Sequence, residues 1–245
     1  MLFPGPSRDD CLTTKRGPCL RTHGWTWRPV FGLLACLLCW DARAGWADVQ
    51  AGATRRSFSA AERKRLSDGE LVTRPAALQQ GSADLIGGVS YQVIEAPQHV
   101  VWQALVDIPR YHRMMPRVIE ARVVEQQGTH CKLQMRQGEA GLLEISYVLD
   151  VDYERSSGDI RFRVDPKQPH DLQAAWGFYN VRPYGKRTLL TYGIMADLGR
   201  GLMARMLGKG VQSWMLKTPW MVKRFVEGSG RWIYDWSTPE PPVPG

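Results

Sequence analysis

The stretch VSYQVIEAPQHVVWQALVDIPRYHRMMPRVIEARVVE, Val89 to Glu125, decides the fold of this chain. It opens on a short alternating strand with Val89, Tyr91 and Val93 on one face. Pro97 stands where a helix can begin, because the N–H it lacks is one that a helix start leaves unpaired anyway. The amphipathic helix that follows carries Val100, Val101, Ala104, Leu105 and Ile108 on one stripe. It stops at Asp107-Ile108-Pro109, and Tyr111, Met114, Met115 and Pro116 form a compact apolar turn before the next strand.

Downstream, strands dominate. Ile119, Ala121 and Val123 alternate with polar neighbours, then Cys131, Leu133 and Met135. Ile145, Tyr147, Leu149, Val151 and Tyr153 make the clearest period-2 face of the sequence. Ser156-Ser157-Gly158-Asp159 reads as a hairpin turn before Ile160, Phe162 and Val164. Leu172 to Pro183 and Lys186 to Asp197 form a last hairpin through Tyr184-Gly185. Six strands thus follow the first helix, and their alternation suits an antiparallel sheet with one solvated face.

The periodicity then changes to that of a long helix, about Leu202 to Val226, with a broad Met/Trp-rich stripe. Pro219 predicts a kink after Thr218, since it removes a backbone donor and clashes with the preceding turn. The tail, with Trp232, Tyr234 and Trp236 before a Pro-rich end, reads as loose. Upstream of Val89, Ser59-Ala60-Ala61-Glu62 matches a capping box. A short strand over Glu70 to Arg74 is closed by Pro75, and Gly87-Gly88 marks a turn. Residues 57–88 are either a small lid or an edge addition to the main domain.

The first forty-four residues read as an export signal. Arg8, Lys15, Arg16, Arg21 and Arg28 precede the apolar run Val30 to Trp40, and Ala42-Arg43-Ala44 supplies small residues for cleavage after Ala44, with Ala47 as second choice. The apolar run is short of the roughly 20 residues that span a bilayer. An uncleaved N-terminal membrane anchor is the alternative. Removing residues 1–44 takes away six Lys/Arg and three Asp/Glu, so the formal net charge falls from +8 to +5. That modest excess fits weak attraction to anionic headgroups, and without a dense basic stripe interleaved with aromatics it gives no case for nucleic acid. Cys131 is the single cysteine after position 39, so stability has to come from the core.

The order strand, Pro-started helix, V-D-x-x-x-Y, x-x-M-P and strand resembles the opening of the START-like superfamily (SRPBCC), including its polyketide cyclase/dehydrase and coenzyme Q-binding branches. The resemblance covers about Val89 to Gly228. It implies an α+β helix-grip fold, a curved antiparallel β-sheet wrapped around a long C-terminal α-helix, with a cavity beneath for an apolar ligand. The domain plan is then a signal peptide (1–44), a linker and N-terminal extension (45–88), the ligand-binding domain (89–228) and a Pro-rich tail (229–245).

No specific catalytic motif is present. Of the histidines, His99 is expected on the exposed side of the first helix and His112 in the turn, and the mature ones lack metal-ligand spacing. No catalytic residue, cofactor or metal is therefore assigned. The expected cavity lining is Tyr147, Tyr153, Phe162, Trp176, Phe178 and Tyr192 from the strands, with Met203, Trp214 and Met215 from the last helix. Such surfaces suit sterols, quinones, acyl chains or polyketides, and methionines give an adaptable wall. Glu144, Asp171, Arg136 and Asn180 are the polar residues that reach the cavity in one strand register; a one-residue slip turns them away.

Three readings follow. The first is a carrier of a hydrophobic small molecule outside the cytoplasm, with transient membrane contact through the last helix. The second, implied by the resemblance, is a polyketide cyclase/dehydrase-type enzyme in which a Tyr, His or Asp moves a proton. Export speaks against it, because the thioester-bound substrates of such enzymes are cytoplasmic. The third is an interaction module whose large side chains fill the interior.

Overall fold

In the computed structural model of the protein, the described residues are 57–139, 143–199 and 210–237. The export signal and its cleavage site, the linker up to residue 56, and Met203 lie outside them.

The chain enters through helix α1 (Ala60–Ser67), whose capping box is complete: Ser59 Oγ accepts from the Glu62 N–H and Glu62 Oε2 accepts from the Ser59 N–H at 2.8 Å. Strands β1 (Val72–Gln80) and β2 (Ala83–Ile94) follow as an antiparallel hairpin. Two predicted breaks are therefore corrected. Pro75 does not end β1, because β1 is the edge of the sheet and a missing N–H costs no ladder bond there. Gly87-Gly88 is not a turn but lies inside β2. A Cβ on Gly87 would stand 1.8 Å from the Ile194 carbonyl oxygen, and one on Gly88 2.3 Å from that of Arg74. The glycines let neighbouring backbones close in from both sides. Residues 57–88 thus supply an edge strand, the second of the two sequence alternatives.

Helix α2 (Gln98–Val106), a 3-10 turn (Ile108–Arg110) and the short α3 (Tyr111–Met114) lead into β3 (Val118–Gln127), β4 (His130–Glu139), β5 (Leu143–Glu154), β6 (Asp159–Val164), β7 (Ala174–Tyr184) and β8 (Arg187–Asp197). These are the six predicted strands. All eight strands form one antiparallel sheet in the order β1-β2-β8-β7-β6-β5-β4-β3.

Among the described residues the last helix comes in two pieces, and its predicted start over 202–209 lies outside them. Residues 210–215 are helical, Leu216-Lys217 is a turn, and α4 (Thr218–Glu227) restarts with Pro219 in its first turn. The prediction of one kinked helix is corrected: in the first turn Pro219 needs no N–H, so the break falls before it. Both pieces are tied to the β1–β2 hairpin or the residue that follows it. Gln212 Nε2 donates to the Ala76 and Gly87 carbonyls at 2.9 and 2.8 Å, and Glu227 Oε1 accepts from the Glu95 N–H at 2.7 Å.

The tail is not loose up to Ser237. After a 3-10 turn (Ser229–Trp232), Ile233, Tyr234 and Trp236 pack against the core, and the Tyr234 hydroxyl donates to Asp107 Oδ2 at 2.9 Å. This return of the chain also covers His99, which is buried rather than exposed, its Nε2 3.1 Å from the Asp235 carbonyl oxygen.

Apolar side chains bury on both faces of the sheet. The main cluster fills the inner face beneath α2, α3 and α4. A smaller one on the outer face joins Leu66 of α1 to Val72, Val89, Tyr91, Val93 and Phe178. Arg74 fastens α1 over it, donating twice to the Glu62 carboxylate at 2.9 Å with its guanidinium 5.5 and 5.2 Å from the Phe58 and Tyr91 rings. That pairing holds the Glu62 carboxyl down at about 2. Only the remainder of the outer face is solvated, with ion pairs such as Arg136–Glu144 at 3.0 Å.

Phe178 is fully buried in the outer cluster. Phe178→Ala is expected to cost about 3–5 kcal/mol of stability in chemical denaturation. Affinity for apolar probes, measured below the new transition, is expected to stay unchanged. A loss of affinity with intact stability would contradict this placement.

Candidate functional site

A cavity opens between the inner face and the last helix. Its volume is about 130 Å³ counted over positions that the centre of a water molecule can occupy. One water needs roughly 10–15 Å³ on that measure, so the interior is not closed by ordinary packing. This is the observation that removes the filled-interior reading.

The strands build the walls by parity. Leu133, Met135 and Gln137 come from β4, Ile145, Tyr147, Leu149 and Val151 from β5, and Ile160 and Phe162 from β6. Ala175 and Tyr179 of β7 and Tyr192, Ile194 and Ala196 of β8 continue the surface. The turn residues Tyr111, Met115 and Pro116 close one side, and Val211, Trp214, Met215 and Thr218 form the roof. Phe162, Tyr179 and Tyr192 make an aromatic floor with ring centroids 4.8 to 6.2 Å apart. At the rim, the guanidinium of exposed Arg117 lies 5.5 Å from the Trp214 ring centre, linking the turn before β3 to the roof. Arg117 takes up a left-handed backbone (φ 53°) to do so, which costs a non-glycine residue on the order of 1 kcal/mol.

Of the residues expected to line the cavity, Tyr147, Phe162, Tyr192, Trp214 and Met215 do so. Tyr153 packs against the same cluster, its hydroxyl oxygen 3.5 Å from the Cys131 thiol, but is not part of the lining. Trp176 and Phe178 have the opposite parity and face away, a correction with a simple cause. In AAWGFYNV both faces of β7 are apolar, so alternation does not say which is inside. Close approach helps to fix it: a Cβ on Gly177 would meet the Phe162 ring at 2.4 Å and one on Gly193 the Phe178 ring at 2.3 Å. Met203 lies outside the described residues.

The polar candidates do not gather at the cavity either. Arg136 pairs outside with Glu144 at 3.0 Å and Glu120 at 3.3 Å. Asp171 accepts from the Ser146 N–H at 2.7 Å, and Asn180 donates to Asp159 at 2.5 Å. The other described histidines make local bonds and do not line the cavity: His112 to the Pro109 carbonyl, His130 to Asp152 at 2.9 Å and His170 to the carbonyl of Leu172, which does line it.

Sequence reading missed Gln137 and Tyr179. Gln137 continues the alternation Cys131, Leu133, Met135 by one step, a signal that was available. It accepts from the Tyr147 hydroxyl and donates to the Pro116 carbonyl at 3.2 Å. Tyr111 donates to the Leu105 carbonyl at 2.6 Å. Tyr192 shares a hydrogen bond with Thr218, whose own proton goes to the Met215 carbonyl at 2.8 Å. Burial raises all four lining tyrosines well above the usual phenol range, so each is a neutral donor at physiological pH. Among the described residues no cluster of His, Cys, Asp and Glu is placed to hold a metal.

Comparison with known proteins gives a family and a fold. The family described as polyketide cyclase / dehydrase and lipid transport matches residues 94–225, more than half of the chain. A solved structure from Thermus thermophilus superposes with a TM-score of 0.52 at 17% identity, covering 60% of this chain and 98% of that one. The STAR-related lipid transfer protein of Xanthomonas axonopodis (fragment 25-204) gives 0.50 at 14% identity, covering 64% and 98%. At these identities the likeness is one of fold, and it matches the helix-grip arrangement described above. Curated protein sequences give no match.

Proposed function

The chain belongs to the polyketide cyclase/dehydrase and lipid transport family, and within it we propose a carrier of a hydrophobic small molecule, acting outside the cytoplasm. The observation that carries the reading is the make-up of the cavity. Apart from the Gln137 amide its walls are aliphatic, aromatic and methionine side chains, and its hydroxyls belong to buried tyrosines and one threonine. Tyrosines raised this far hold their protons, which suits hydrogen bonding to a ligand more than shuttling protons at neutral pH. Each methylene transferred into such a cavity contributes about 0.8 kcal/mol, enough to retain a tail without any reaction. The test is titration with fluorescent fatty acid, sterol and quinone probes. Saturable one-to-one binding of at least one class is expected; turnover of a polyketide thioester with no retention of these probes would favour the enzymatic alternative.

The leader supports export. Sequencing the N-terminus of protein recovered from outside the cytoplasm is expected to give Gly45 or Asp48 as first residue, and an intact leader in the membrane fraction would support the anchor instead.

The exposed side of α4 and the 3-10 turn after it support transient contact with anionic membranes. Trp220 is stacked under Arg224 at 4.9 Å, and Trp232, next to exposed Arg231, is 93% exposed. Interfacial Trp with nearby Arg suits the headgroup layer. Vesicles of phosphatidylcholine with added phosphatidylglycerol are expected to bind the protein, weakening with salt. Trp232→Ala with Arg224→Glu is expected to lower that binding about fivefold or more. Equal binding by the double variant, or to phosphatidylcholine alone, would contradict this surface.

A further inference from the structure

The four tyrosines that line the cavity do not use their hydroxyl protons alike. Tyr111 donates to the Leu105 carbonyl and Tyr147 to the Gln137 amide oxygen. Tyr192 has the Thr218 hydroxyl as its side-chain neighbour, and Thr218 donates to the Met215 carbonyl. The Tyr179 hydroxyl points instead to the Met115 sulfur at 3.6 Å. A thioether is a weak acceptor, so a strong O–H donor, 8% exposed, sits in the cavity floor with a poor partner. Leaving a buried donor poorly satisfied is costly, and an oxygen acceptor would relieve it.

Resting on the carrier reading above, we infer that the Tyr179 hydroxyl is the ligand's polar anchor, and that the ligand is an apolar molecule carrying a hydrogen-bond-accepting oxygen of the ketone, quinone or ester type. The surroundings agree. The Phe162 and Tyr192 rings flank Tyr179 at 5.7 and 4.8 Å, so a flat unsaturated or cyclic portion beside the acceptor oxygen finds aromatic faces. The burial that keeps Tyr179 protonated also keeps it a donor. Met115 has a flexible, unbranched side chain and can turn aside when a better acceptor arrives.

A matched pair of probes tests this: 1-tetralone and tetralin, which share a bicyclic skeleton and differ in the carbonyl oxygen. Wild-type protein is expected to prefer tetralone about three- to tenfold in calorimetric titration, after correction for the two probes' water solubilities. Tyr179→Phe is expected to bring the two affinities within about twofold of each other, with tetralin binding retained as the sign that the variant is folded. Infrared spectra of carbonyl-labelled tetralone supply an independent readout. The bound C=O stretch is expected at lower frequency in wild type than in hydrocarbon solvent, and to return to the solvent position in Tyr179→Phe. If both probes bind wild type equally, or the preference and the red shift survive in Tyr179→Phe, the anchor is wrong while the carrier reading stands. If neither probe binds and the fluorescent lipids also fail, the carrier reading falls and the anchor with it. Should Tyr179→Phe not fold, Met115→Leu decides. Removing the sulfur frees the hydroxyl, so the tetralone preference is expected to hold or rise, and its loss would overturn the anchor.

Discussion

Ala175→Phe is expected to weaken binding of apolar probes by more than about 100-fold while leaving the protein folded. Ala175 lies on the inner face of β7 directly across from Ala196 of β8, and both line the cavity. A benzyl ring at that position takes up much of a cavity of about 130 Å³. Binding is lost because the ligand's apolar surface has nowhere dry to go, at about 25 cal/mol per Å² forgone. Stability should move by no more than about 1–3 kcal/mol, since the ring enters open space rather than a closed core. Calorimetry with the best probe from the panel, beside urea denaturation of the same variant, separates the two effects. Binding within tenfold of wild type would place the ligand elsewhere.

Gly87→Ala is expected to cost about 3–5 kcal/mol, in the range of severe backbone clashes. The new Cβ would stand 1.8 Å from the Ile194 carbonyl oxygen and 2.7 Å from its carbonyl carbon. Neither atom can swing aside like a side chain, because Gly87 and Ile194 sit in the β2–β8 ladder that joins the N-terminal hairpin to the rest of the sheet. The Gly87 carbonyl also holds Gln212 of the roof, and Ile194 lines the cavity. Loss of stability should therefore come with loss of ligand. A urea midpoint within the equivalent of about 1 kcal/mol of wild type would mean that the hairpin packs less tightly than described.

The element order from β2 to β8 was legible because it rests on period-2 alternation and turn residues, which are local. What the sequence did not reveal lies where both faces of an element are apolar or where distant backbone decides. Val89, Tyr91 and Val93 alternate as read, but the face they bury is the outer one under α1. Trp176 and Phe178 were placed inward because β7 carries large side chains at both parities, and the choice is made by Gly177 and Gly193, which admit the Phe162 and Phe178 rings. Gly87-Gly88 signals close backbone contact, which a turn and a crowded strand share. Pro219 marks a helix boundary under two readings, and the packing of both pieces along β2 favours a fresh start over a kink. His99 reads as exposed until Tyr234 and Asp235 are brought back over α2 from distant positions in the chain.

For the site, composition named the chemistry of the walls better than the individual residues. Five of the nine expected positions line the cavity, and Tyr179, whose hydroxyl points to a thioether sulfur, was not among them. Nothing local sets Tyr179 apart from its neighbours. Its role follows from a sulfur 64 positions earlier in the chain.

If the cavity carries an apolar molecule, that molecule should stay with the protein through purification. Purifying the protein without detergent, extracting it with organic solvent and analysing the extract by mass spectrometry tests this most directly. A recurring apolar species with an acceptor oxygen, near one per chain, is expected in the extract and is expected to be absent from an Ala175→Phe preparation. An extract no different from that of the filled-cavity variant, from protein that also takes up none of the lipid probes, would contradict it.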